Sequence, residues 1–252
     1  MIKKRMKYQE GRSEDVSAAK VDMQDLHDAC FMTGMAYKST PAIKEIYGNL
    51  VLIIEETEAI RFFLLSYERT KTQVIVLSGN LPETQLQGIT DVYKQLQVEK
   101  SADHIDKTLI KYLKKDFQTC IYGHGLGGCF GILLALHLQN ENFKVNKIYT
   151  FGSPKIIKNK DAIQYRALPV TRVADFHDPI PGYFKSYSHV GSSVVLFSEV
   201  YYSVTAQDYL EVADNSRSAE MNHVESYIRN LKLKLKKATP IPFEERETLN
   251  LK

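Results

Sequence analysis

Apolar positions recur along the chain with two different periods, and the switch between them marks where helices give way to strands. Leu26, Cys30, Met32 and Met35 fall near helical spacing, so 24–37 is predicted as a helix. Asn49 to Ile54 and Ile60 to Tyr67 are β-branched, aliphatic or aromatic runs on either side of Glu55-Glu56-Thr57-Glu58, a pattern that predicts an antiparallel hairpin. A third strand is predicted over 73–77, where Val74-Ile75-Val76-Leu77 is apolar without a break and stops at Ser78-Gly79-Asn80. Such a run suits a strand covered on both faces.

The next stretch sets the topology. A helix over 105–115 leads into a strand over 119–122, a glycine-rich turn, a helix over 126–138 and a strand over 147–151. This order predicts a parallel sheet joined by crossover helices. Strands over 170–175 and 194–197 and a final helix over 222–237 complete an α/β fold: a mostly parallel central sheet with helices on both faces. Three segments are expected: a polar N-terminal segment 1–20, one α/β domain over 21–239, and a C-terminal surface tail over 240–252.

Composition narrows the function. A chain of 252 residues with 44% hydrophobic positions can bury one large core. Its 33 basic residues stand against 30 acidic ones, too even a balance for a nucleic-acid surface. No apolar run approaches the roughly 18 residues that cross a bilayer. Residues 1–20 lack the apolar core of an export signal, so a soluble, cytoplasmic protein is expected. Cys30, Cys120 and Cys129 have no paired spacing, which argues against a disulfide framework and a zinc cage.

The turn Gly123-His124-Gly125-Leu126-Gly127-Gly128 carries the candidate chemistry. It fits Gly-x-Gly-x-x-Gly, which in a dinucleotide site lets a pyrophosphate approach a helix N-terminus. That reading needs an acidic residue about 20 positions on, where this chain has Thr150-Phe151-Gly152-Ser153-Pro154, so a nucleotide-binding domain is a distant alternative. The same turn also fits a nucleophile elbow, Gly-x-Ser-x-Gly, with Gly123 and Gly127 flanking a central position that is Gly125.

Here the sequence resembles the class 3 (fungal-type) lipase family, whose elbow reads Gly-His-Ser-Leu-Gly-Gly. Further matches are Tyr149 through Pro154, Arg172-Val173 through Asp178-Pro179-Ile180-Pro181, Tyr187 through Gly191, and Asn222-His223-Val224 through Tyr227. The resemblance implies an α/β-hydrolase fold, a lipid or acyl-ester substrate, no cofactor and no metal, with peripheral contact to a lipid surface left open. It also implies the order nucleophile, acid, base, carried over to Gly125, Asp178 and His223. His223 would then be the proton carrier and Asp178 its orienting acid, with oxyanion donors from Leu126 and from the loop at Asn80. The loop departs from the family's usual Arg-Gly-Thr or Arg-Gly-Ser, and no helical lid pattern is recognisable between Leu81 and Asp106.

Glycine has no hydroxyl, so no acyl-enzyme forms at position 125 by the usual route, and esterase activity near zero is expected. A pseudoenzyme that binds an acyl ligand or a protein partner is the alternative. Cys129, four residues beyond the elbow, is expected to be a buried, inert thiol rather than a substitute nucleophile. The alternating leucines and lysines of 231–237 are expected to form a solvated helix end.

Overall fold

The computed structural model describes residues 21–79, 97–198, 200–205, 223–246 and 248. The first strands run antiparallel: β1 (Val51–Glu56) pairs with β2 (Ile60–Tyr67), and β2 with β3 (Thr72–Gly79). From β3 the sheet becomes parallel, through β4 (Gln118–His124), β5 (Lys144–Phe151), β7 (Val170–Asp175) and β9 (Ser192–Leu196). Two outer strands, β10 (Tyr201–Thr205) and β11 (Thr239–Pro240), complete nine in the order β1-β2-β3-β4-β5-β7-β9-β10-β11. The short strands β6 (Ile157–Lys158) and β8 (Tyr187–Ser188) pair separately.

Alternation along the strands divides the core between the two faces of the sheet. Ile75, Leu77 and Ile121 join the cluster built on α3 (Val98–Leu109) and α4 (Leu126–Asn140). Val74, Val76, Cys120 and Tyr122 face α1 (Met23–Met35) and α5 (Val224–Lys236), which also pack on each other. Both faces of the central strands are therefore covered, as the unbroken apolar run at 74–77 requires. Among the described residues no helix is long and apolar enough to cross a membrane.

Several elements differ from the sequence expectation. The helix placed at 105–115 instead spans Val98–Leu109. The buried Gln73 side chain holds the following segment: its Nε2 donates to the Lys114 carbonyl at 3.0 Å, and the Lys114 N–H donates to its Oε1 at 2.9 Å. A side-chain amide thus takes the place of helical hydrogen bonds there. Helix α2 (Thr40–Tyr47), with Ser39 accepting from Ala42 N–H at its start, and the strands β10 and β11 were not foreseen. The expected tail begins inside β11, and Phe243 packs on Phe176 and Phe197.

The segment 231–237 is not a uniformly solvated helix end. Tyr227, Leu231 and Lys234 lie at helical spacing on one buried face, whereas Leu233 and Leu235 are exposed. Lys234 is 1% exposed. Its ammonium donates to the Phe197 carbonyl at 2.8 Å and also to Asn230 Oδ1.

Burial pushes the Lys234 pKa down from 10.5 to about 8, with the charge of Asp175 opposing the shift. Between those values the unfolded chain holds a proton that the folded chain has released, so this group's contribution to stability rises with pH and is lost as pH falls through 8. In urea unfolding, the gap between the native protein and Lys234→Met is expected to move in favour of the native protein by about 2 kcal/mol from pH 7.5 to 10. Parallel stability curves would reject this reading.

Candidate active site

The strand-to-helix turn after β4 has the backbone of a nucleophile elbow. Gly125 takes φ 56° and ψ −128°, a conformation that L side chains rarely adopt. Its N–H donates to the Phe151 carbonyl at 2.9 Å, and its own carbonyl accepts from Gly128 N–H at 3.2 Å. The flanking glycines are required by proximity: a Cβ on Gly123 would lie 2.5 Å from Gly128 Cα, and one on Gly127 2.4 Å from the Leu77 carbonyl oxygen. Among the described residues, a Cβ on Gly125 would meet nothing within 4 Å. Position 125 therefore faces open space while both neighbours are hemmed in by backbone.

The start of α4 and the end of β3 converge beside this turn. A Cβ on Gly79 would stand 3.1 Å from the Leu126 backbone nitrogen. Leu126 N–H belongs to the first turn of the helix, where amide donors and the helix dipole favour negative charge. Asn80, the other oxyanion candidate, lies outside the described residues, as does the 81–96 part of the segment searched for a lid.

Asp178 follows β7 and is fully buried. Its Oδ1 accepts from Ile180 N–H at 2.8 Å, and its Oδ2 accepts from the Tyr227 hydroxyl at 2.6 Å. The direction of the second bond is forced. Asp175 N–H donates to Tyr227 Oη at 3.0 Å, so the phenolic proton goes to Asp178. Burial, followed by the charges of Asp178 and Asp175, pushes the Tyr227 pKa well above its ordinary value, so the phenol stays protonated and donating.

His223 stands at the N-cap of α5, one turn before Tyr227, and is exposed. Its backbone carbonyl accepts from Ser226 N–H at 2.9 Å. Among the described residues no hydrogen bond joins its imidazole to Asp178. The acid is held by Tyr227 and by the loop backbone instead.

Tyr227 is the residue on which the site converges. Its ring meets that of His124, the residue before Gly125, edge-on at 5.9 Å between centroids. His124 Nδ1 lies 2.7 Å from the Tyr37 hydroxyl, which also takes a backbone hydrogen bond from Gly79. Elbow, acid loop, β3 end and α5 are therefore tied together through two tyrosines to which the sequence reading gave no role. For Tyr227 a signal was present, since it lies four residues after His223 and shares its helix face; Tyr37 offered none.

Cys129 is buried, and its thiol donates to the Pro154 carbonyl at 3.1 Å. Burial raises its pKa far above the ordinary thiol value, so it is not a substitute nucleophile.

Tyr227→Phe removes the donor to a buried carboxylate and the acceptor of a buried N–H. It is expected to cost about 1–3 kcal/mol in denaturant unfolding. A change within experimental error would show that Asp178 is held by its loop alone.

Comparison with known proteins agrees with this geometry. Residues 51–187, more than half of the chain, match the model of the family described as lipase (class 3). The matched stretch includes Gly125 and Asp178 and ends before His223. Among solved structures, a lipase from Rhizopus microsporus var. chinensis is 18% identical, with TM-score 0.55 over 71% of this chain and 76% of its own. Lipase II from Rhizopus niveus is 15% identical, with TM-score 0.56 over 69% and 80%. A nonglycosylated lipase from Yarrowia lipolytica is 13% identical, with TM-score 0.55 over 79% and 89%. At these identities the structures establish the α/β-hydrolase fold. No curated protein matches the chain. The family model and the fold together assign this chain to the class 3 lipase family.

Proposed function

We propose that this chain carries an acyl-ester site of the lipase type whose catalytic cycle is blocked at its first covalent step. The observation that carries the proposal is Gly125: an elbow backbone facing open space, with no oxygen to attack a carbonyl. The substrate class is a carboxylic ester of a lipid, an acylglycerol or a phospholipid, and turnover as written is close to zero. Leu126 N–H supports an oxyanion role, Asp178 supports that of the buried acid and His223 that of the base.

The test compares ester hydrolysis and fluorophosphonate labelling of the native chain and Gly125→Ser. Turnover and a covalent adduct in the serine variant alone would support a competent site that lacks only its nucleophile.

A second reading has its own support. Asp178 Oδ2 is engaged by Tyr227, and no hydrogen bond joins it to the exposed His223. This favours a pseudoenzyme that retains an acyl ligand or a protein partner without chemistry. Silence in both proteins, together with fatty-acid binding by the native chain, would favour this second role.

A further inference from the structure

The inner side of α5 holds an amine, an amide and a carboxylate in one row. Lys234 and Asn230 stand four residues apart on the helix, the spacing at which side chains of one face meet. Lys234 is 1% exposed, and its ammonium donates to Asn230 Oδ1 as well as, at 2.8 Å, to the Phe197 carbonyl. Asn230 Nδ2 donates in turn to Asp175 Oδ2 at 2.7 Å. Asp175 closes β7 and is equally buried, and its Oδ1 accepts from His177 N–H at 2.9 Å.

The two ends of this row force the orientation of the amide between them. An ammonium can only donate and a carboxylate can only accept, so the Asn230 carbonyl faces the lysine and its NH2 faces the aspartate. The amine therefore lies against the electrophilic carbonyl group. The acid lies against the nitrogen that a substitution at that carbon would expel.

We infer that Lys234 and Asn230 are the reacting pair of an autocatalytic isopeptide cross-link, with Asp175 as its proton carrier. Lys234 Nζ gives up one proton and attacks Asn230 Cγ; the Nζ–Cγ bond forms and the Cγ–Nδ2 bond breaks. A second Nζ proton passes through Asp175 to the departing nitrogen, which leaves as ammonia and takes up the first. In sum, an ammonium and a primary amide give a secondary amide and an ammonium ion, with no oxidant or other reactant consumed.

Three conditions favour the step. Burial pushes the Lys234 pKa down to about 8, so the neutral, nucleophilic amine is accessible at mild pH. The helix holds amine and amide in contact, which replaces a bimolecular encounter by an intramolecular one. A charge in a region of low dielectric is costly, and the product at 234 is neutral. The amine needs no vacancy in its hydrogen bonding, because the hydrogen that faces Asn230 is the one displaced. The link closes one turn of α5, the helix that carries Tyr227, and only the unlinked chain keeps a titrating Lys234.

The test is the intact mass of the full chain before and after incubation at pH 9, followed by trypsin digestion and tandem mass spectrometry. The expected product is lighter than its sequence by one ammonia, with residues 230–232 and 233–236 still joined through Asn230 and Lys234 after cleavage at Lys232. Lys234→Met and Asn230→Ala are expected to keep the full mass of their sequences, and Asp175→Asn to link at least about tenfold more slowly. The native chain held in urea at the same pH is expected to stay unlinked, a control that requires no variant to fold. Full mass of the folded native chain after incubation, loss of ammonia that maps elsewhere, or equal linkage in urea would overturn the inference.

Discussion

Gly125→Ser is expected to hydrolyse short acyl esters at least about a thousandfold faster than the native chain, since removing a triad member from a serine hydrolase costs several orders of magnitude. The structure supplies the reason why one substitution could do this. The elbow backbone is already bent, and an added Cβ meets no atom of the described residues within 4 Å. The hydroxyl would arise beside the first turn of α4, whose amide donors and dipole favour negative charge.

The gain has a cost, because a non-glycine residue at φ 56° and ψ −128° is strained by about 1–3 kcal/mol. Gly125→Ser should therefore be more active and less stable at once. In its background His223→Ala or Asp178→Asn is expected to reduce the new activity at least about a hundredfold, the range of general-base catalysis. If His223→Ala leaves that activity intact, the imidazole is not the base.

The second large effect lies two residues away and has the opposite character. Gly127→Ala is expected to destabilise the fold by about 4 kcal/mol or more, at the extreme of single substitutions. The added methyl would stand 2.4 Å from the Leu77 carbonyl oxygen and 2.7 Å from Ser78 N, both backbone atoms of the central strand β3. No rotamer relieves a clash with backbone, so either β3 or α4 must shift. Gly123→Ala meets the same obstacle at Gly128. Melting temperatures settle the contrast: a modest drop for Gly125→Ser and a collapse for Gly127→Ala are expected. Comparable losses would mean that the flanking glycines do not serve close packing.

The two variants also separate what the glycine-rich turn encodes. Gly123 and Gly127 are consequences of how tightly β4, β3 and α4 approach, whereas Gly125 is the position where chemistry is optional. A turn with only the tight glycines can keep its shape and lose its reaction. This is the physical basis on which a hydrolase fold can persist without its nucleophile.

The linear chain was enough to predict the parallel half of the sheet, because strand-like runs such as the unbroken Val74 to Leu77 alternate with helical stretches in the order strand, turn, helix, strand, a pattern written in neighbouring residues. It also marked position 125, since the elbow is a local motif whose glycines lie within six residues. Partners brought together from far apart were another matter. Gln73 holds the segment after α3 from 41 residues away. Tyr227 reaches Asp178 across 49 residues, and Tyr37 reaches His124 across 87. Lys234 reads as a surface lysine until α5 is laid against the sheet. Period and local turn chemistry act between neighbours, so residue order decides them. Burial and hydrogen-bond partners depend on which distant segments meet, and only the folded chain decides that.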